Sequence, residues 1–224
     1  MSRLTPAFKD PLGNQLTTLG LLPTPVATPT TGVVNYPRLE HYSTDVFWQR
    51  TRFVFGDGTR RTTATAGVIN TTLAIAAAAD GGNIALCNLP VGNLLFVGVS
   101  GQVRVTGDAA FAATESLDIT IGTTANTDST IAVDAVPLDA EANILRSTPT
   151  AITLAGTTAL WQPRYSSQVY EPLYIDTRAG TIASPIIAYL NVQTEDNAAA
   201  VLSLNGYIDW FWCNTAVIEQ SATV

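Results

Sequence analysis

The sequence predicts an all-β chain: an antiparallel two-sheet sandwich, jelly-roll-like, behind an extended N-terminal arm. Three observations predict it. Apolar and polar residues alternate over the last long stretch, with Leu202, Leu204, Ile208, Trp210 and Trp212 on one side. Ser203, Asn205, Tyr207 and Asp209 take the other side, and only the strand period of two sorts them this way. Eight or more short segments rich in Val, Ile, Thr and aromatics recur, with turn residues roughly every 8–15 positions. Finally, the first 37 residues hold six of the twelve prolines and almost no apolar periodicity.

That leader, residues 1–37, reads as the arm. LLPTPVATPTTG cannot be helical, and proline removes donors that a central strand needs. An extended, partly polyproline-like course follows. Such a segment gains order only against a surface. At full stretch it could span on the order of 100 Å, so the expectation is that it lies on a neighbouring chain, with the chain's own body as the alternative surface.

Residues 38–66 form a linker of aromatic and arginine-bearing strands. Tyr36, Tyr42, Phe47, Trp48, Phe53 and Phe55 interleave with Arg38, Arg50, Arg52, Arg60 and Arg61. DVFWQRTRFVFGDGTRR reads as a strand, a turn at Gly56-Asp57-Gly58 and a second strand. Aromatics and Arg dominate protein interfaces, which makes Phe47, Trp48, Arg50, Arg52 and Phe53 the expected partner-binding anchors.

The body, residues 67–224, begins with VINTTLAI, strand-like, and a turn at Asp80-Gly81-Gly82. NIALCNLP is a strand closed by Pro90, and LLFVGVSGQVRVT is the longest early strand. LDITIGTT follows, then short strands at Ile131–Val136 and Ala151–Leu154 around a single helical turn in Asp139–Asn143. SQVYEPLYI is interrupted by Pro172 and reads as an edge or bent strand. Pro185–Cys213 reads as a closing hairpin about the polar turn Thr194–Asn197.

Bulk numbers narrow the function. Charged residues make up 13% of the chain, about half the usual share of roughly 25%, so partners or Thr, Ser and Asn must cover much of the surface. Net charge is −7, unevenly placed: residues 1–61 hold seven of the eleven Lys plus Arg and four of the eighteen acids. The remainder is strongly acidic, which argues against broad nucleic-acid contact. No run of ~18 apolar residues and no secretory pattern is visible, so no membrane role is expected. Cys87 and Cys213 lie far apart in strand-like segments; two buried thiols or one bridge both fit.

Catalytic chemistry is hard to assemble. His41 is the one histidine, and nothing resembles a nucleophile elbow. One His and two distant Cys cannot make a zinc site, and Asp139, Glu141 and Asn143 lack the glycine and closing Glu of a calcium loop. Neither GxxxxGK[ST] nor GxGxxG occurs. No enzyme, cofactor or metal is expected. Trp161, Tyr165, Tyr170 and Tyr174 lie close in sequence and read as core, as subunit interface or as a sugar-stacking platform.

Two segments carry a resemblance. One is LCNLPVGNLLFVGVSGQVRV followed by LDITIGTTANTDSTI; the other is PIIAYLNVQTEDNAAAVLSLNGYIDWFW, with Asn205, Gly206, Trp210 and Trp212. Together they cover about a third of the chain and resemble small structural proteins of tailed bacteriophages, chiefly capsid decoration, cement and minor capsid proteins. The resemblance implies a virion location on the capsid surface, the major capsid protein as partner, and a homo-oligomer, dimer or trimer. The alternative is a head-fibre or tail-fibre module recognising host surface glycans. The long Pro/Thr arm departs from a simple surface knob and fits a cement that threads over neighbouring subunits.

Overall fold

The structure is a computed structural model, and it describes residues 22–26, 37–43, 48–56, 71–75, 81–107, 116–126, 144, 152–153, 158–163, 173–180, 184–194 and 200–215. Every element defined among them is a strand. In chain order these are β1 (Arg38–Ser43), β2 (Gln49–Phe55), β3 (Thr71–Ile75), β4 (Gly81–Asn88), β5 (Asn93–Gly107) and β6 (Ser116–Gly122). There follow β7 (Ile152–Thr153), β8 (Thr158–Trp161), β9 (Leu173–Asp176), β10 (Ile187–Thr194) and β11 (Ala200–Asn214).

They form two antiparallel sheets packed as a sandwich. The larger, seven-stranded, runs β1-β2-β11-β5-β8, with β3 also on β11 and β9 also on β5. The smaller runs β4-β10-β6-β7. The pairing is nested: β2 with β11, β4 with β10, β5 with β8, and β6 with β7, all antiparallel. Nested pairs distributed alternately between two sheets are what results when one long folded ribbon is rolled over a core. This is the jelly-roll arrangement.

The two fifteen-residue strands, β5 and β11, form the spine of the large sheet and pair along nearly their whole length. Alternation in β11 points Leu202, Leu204, Ile208, Trp210 and Trp212 inward, each at most 1% exposed. Phe53 from β2 and Phe96 from β5 close on Trp210, at ring separations of 4.3 and 5.4 Å. Ile84, Leu86, Leu117, Ile119, Ile121, Leu190 and Val192 face them from the small sheet. Gly206 interrupts the inward series because its φ is 138° and a Cβ there would sit 2.1 Å from the Gln102 carbonyl oxygen. Only glycine fits that approach of β11 to β5.

Several expectations change here. Pro185–Cys213 is not a hairpin within one sheet: β10 belongs to the small sheet and β11 to the large one. Alternation shows which residues face a core but not which strand lies alongside. Gly81 and Gly82 are strand residues of β4 rather than a turn; a Cβ on Gly82 would lie 2.2 Å from the Ala74 carbonyl oxygen, so glycine lets β4 lie close to β3. Residues 38–43 and 48–56, expected as part of the linker, belong to the large sheet through β1 and β2. The strand after Gly56, the strand at 131–136 and the helical turn at 139–143 lie outside the described residues.

The arm is corrected where it is described. Thr24 bridges Asn88 at the edge of β4 through two backbone hydrogen bonds of 3.0 and 2.8 Å. The Asn88 amide donates to Thr24 Oγ1 and to the Pro25 carbonyl, and Leu22 is buried in the core. Residues 22–26 therefore hold the chain's own body rather than a neighbour. The rest of the arm, apart from Pro37, lies outside the described residues.

Candidate functional site

The outward face of the large sheet is built by the residues that alternation turns away from the core. Register places three rows side by side. Tyr42, Arg50, Phe211 and Gly98 form one; Glu40, Arg52, Asp209 and Ser100 the next; Arg38, Val54, Tyr207 and Gln102 the third. Their strand neighbours Leu39, Phe53 and Ile208 point the other way, into the core.

At the centre of these rows is Asp209, only 4% exposed. Arg52 grips it with two parallel bonds, Nε to Oδ1 at 2.8 Å and Nη2 to Oδ2 at 2.9 Å. Arg50 Nη2 donates to Oδ2 at 2.8 Å. A carboxylate taken out of water this far needs such pairing. The Asp209 hydrogen bond in turn makes the Arg52 guanidinium more basic than usual. Each guanidinium also lies on aromatic rings: Arg52 is 4.2 Å from the Tyr207 centroid, and Arg50 is 5.1 Å from Tyr42 and 5.9 Å from Phe211. Cation–π contact adds about 0.5–1 kcal/mol at half-exposed sites. Glu40 accepts from Tyr42 Oη at 2.6 Å and pairs with Arg38 at 3.4 Å. Burial, then the Glu40 carboxylate, pushes the Tyr42 hydroxyl above its ordinary pKa. The result is an arrangement of rings and guanidiniums held together by these contacts.

Exposure is one-sided. The exposed large hydrophobics among the described residues are Trp48, Leu160, Tyr174 and Val201. Trp48 stands just before β2, in step with Arg50 and Arg52; Val201 precedes inward Leu202; Leu160 pairs with Arg104, and Tyr174 with Leu95. All four therefore belong to the outward face of the large sheet. The small sheet's outward face is finished differently. Asn83, Asn191 and Thr120 stand in one cross-strand row. Asn191 accepts from the Asn126 backbone N–H and donates to the Thr124 carbonyl, each at 2.9 Å, while Asn83 donates to the Asn126 carbonyl. Residues 124–126 thus cap this row.

Of the five expected anchors, Trp48, Arg50 and Arg52 lie on the outward face. Phe53 is corrected: it is 0% exposed and packs on Trp210, because β2 alternates Thr51, Phe53 and Phe55 inward. Phe47 lies outside the described residues. Asp209, Tyr207 and Phe211 belong to the same arrangement and were missed. Asp209 is separated from Arg52 by 157 positions, and no local signal joins them. Of the aromatic run near 161–174, Trp161 is a core residue at 3% exposure and Tyr174 is 67% exposed; Tyr165 and Tyr170 lie outside the described residues.

His41 faces inward at the sheet's edge, with Nδ1 3.1 Å from Thr51 Oγ1, which also accepts from Trp212 Nε1 at 3.0 Å. That is a structural link between β1, β2 and β11. Both cysteines are free and buried, and burial pushes both thiols up, so neither is a ready nucleophile. Among the described residues no group of three or more His, Cys, Asp and Glu could hold a metal ion. No helix among them is long and apolar enough to cross a membrane.

No protein-family model matches the chain, and no curated protein matches it. Among solved structures it is similar to the CBM22-1 xylan-binding domain from Paenibacillus barcinonensis Xyn10C, at 14% identity, covering 82% of this chain and 84% of that one, with a TM-score of 0.27. A likeness of that degree carries no argument about function. The sandwich rests on the sheet register described above.

Proposed function

We propose that this chain is a structural virion protein that decorates and cements a tailed-phage capsid by binding the major capsid protein. The observation that carries a binding role is the one-sided exposure: every exposed large hydrophobic among the described residues shares one sheet face with an arginine–aromatic arrangement. Surfaces of this composition are the ones partners cover. The placement on a phage capsid comes from the sequence resemblance. Attachment uses the β1–β2–β11 half of the face, with Trp48 as the apolar anchor and Arg50 and Arg52 held ready by Asp209. Because the two guanidiniums are held by Asp209 before binding, little ordering entropy of theirs opposes attachment. Binding to the assembled shell alone then stabilises that shell by mass action.

The test mixes purified chain with capsids assembled from the major capsid protein of the same virion and measures occupancy by co-sedimentation. Trp48→Ser and Arg50→Ala are expected to lower occupancy at least tenfold together. Unchanged occupancy with both substitutions in place refutes attachment through this half.

A second reading, a fibre module for host glycans, is favoured by the 67% exposure of the Tyr174 ring. Glycan-array binding by the purified chain, abolished by Tyr174→Ala, would select it over the first.

A further inference from the structure

β4 is an end strand of the small sheet. β10 lies along one side of it, and on the other Thr24 makes an isolated bridge to Asn88. Thr24 and Asn88 exchange both backbone hydrogen bonds, and the Asn88 side-chain amide reaches Thr24 Oγ1 at 3.3 Å and the Pro25 carbonyl at 3.2 Å. Two positions before Thr24, Leu22 is buried in the core, and Pro23 is buried as well. A clamp on the backbone with an apolar anchor two residues away is how sheet edges recognise extended peptides. The sequence also limits the contact. Beside a residue that exchanges both bonds, the neighbours turn their backbone groups away from the partner strand. Here those neighbours are Pro23 and Pro25, which have no N–H. At these two positions the bound segment offers no donor to a further strand, so it covers the edge and also ends it.

We propose that this end of β4 is a peptide-docking slot selective for an extended Leu-Pro-Thr-Pro segment. Residues 22–26 are its resident ligand, a strap that leaves and re-enters while the sandwich stays folded. Two observations favour a separable ligand over a fixed strand. The first is that the contact is a single bridge and not a ladder. Contacts this small open locally, at a fraction of the cost of unfolding the whole. The second is that the next amide along β4 is independent of the strap. The Leu89 N–H donates to the Ile186 carbonyl at 2.8 Å, so Asn88 can lose its partner while Leu89 keeps its own. The tether keeps the slot filled, because a linked segment acts at an effective concentration of about millimolar. Opening bares the seat of Leu22 and the Asn88 edge together, and the slot then admits a free peptide of the same pattern. The outward face of the large sheet takes no part in this, so the slot stands or falls apart from capsid attachment.

The experiment is amide hydrogen exchange on the full chain, read at Asn88 and Leu89 by nuclear magnetic resonance. The Asn88 N–H bonds the strap and the Leu89 N–H does not, so the pair separates release of the strap from unfolding of the body. Leu22→Asp is expected to speed exchange at Asn88 by about tenfold or more and to leave Leu89 protected. A synthetic peptide of residues 19–28, LGLLPTPVAT, added at about millimolar concentration, is expected to restore the Asn88 protection of that variant. The same peptide carrying Leu22→Asp is expected to restore nothing. If the Leu22→Asp chain fails to fold, Thr24→Pro in the full chain carries the test, because it removes the N–H that Thr24 donates to the Asn88 carbonyl. Exchange at Asn88 and Leu89 that rises together, no rescue by the peptide, equal rescue by both peptides, or failure of both variants to fold overturns the inference.

Discussion

The two sheets turn different backs to the solvent. The small sheet ends in an amide row, Asn83–Asn191–Thr120, whose hydrogen bonds are completed by residues 124–126 of the same chain. The large sheet ends in rings, guanidiniums and open apolar side chains, with the Nε atoms of Arg50 and Arg104 buried and unpartnered. A polar layer that satisfies itself gains nothing from a neighbour. A layer that leaves donors and apolar surface unmatched gains a good deal. Burial alone would not have separated the two faces, since Asn191 and Asp209 are both nearly sealed. What separates them is whether the surrounding layer is complete.

This contrast can be broken most directly at its centre. Asp209→Ala leaves two half-buried guanidiniums facing each other, and breaking such a buried pair costs about 3–5 kcal/mol; urea unfolding checks it, and a loss below ~1 kcal/mol would mean that water already screens the pair. On the finished side, Asn191→Ala strands the Asn126 N–H and the Thr124 carbonyl. A cost of about 2–3 kcal/mol in folding stability is expected, at ~1–3 kcal/mol per orphaned group, with capsid occupancy per folded molecule unchanged. Should Asn191→Ala instead reduce occupancy in its folded fraction, the small sheet's back is an interface too.

A third outcome concerns Asp176. Its carboxyl is lowered to about 2 by the Arg178 side chain and backbone. A lowered folded-state value means that the ion pair is intact above the usual carboxylate range and is lost only as pH falls through about 2. Carbon-detected titration by nuclear magnetic resonance reads this directly, and an ordinary midpoint would mean that the carboxylate is not held. The smallest effect on stability is expected for Trp48→Ser, within about 0.5 kcal/mol of wild type, as for other exposed substitutions. Its effect on capsid occupancy should be large, and a Trp48→Ser protein that loses several kcal/mol would show that the ring supports the fold rather than a partner.

Much of the fold was legible because alternation is written residue by residue. Leu202 to Trp212 could be sorted into faces from the sequence, and the strands at β3, β4, β5 and β6 follow the Val- and Thr-rich segments closely. Pairing was not legible. Thr194–Asn197 looks like a hairpin turn, yet β10 and β11 separate into different sheets, because that depends on which distant strands fill the space beside each. The misassigned Phe53 is a different kind of miss. QRTRFVF alternates, and reading it with the period already used for β11 would have put Phe53 inside and Arg50 and Arg52 outside. Asp209 could not have been joined to those arginines by any local rule. Its place on the outward side, in phase with Ser203, Asn205 and Tyr207, was the only hint.

The tryptophans divide in a way that supplies an optical reporter. Trp161, Trp210 and Trp212 are sealed at 3%, 0% and 1% exposure, whereas Trp48 is open at 38%. A dissolved collisional quencher should therefore extinguish one emitter out of four, the longest-wavelength one, without touching the others. Whatever settles over that ring will announce itself as recovered light, with no label attached to the chain.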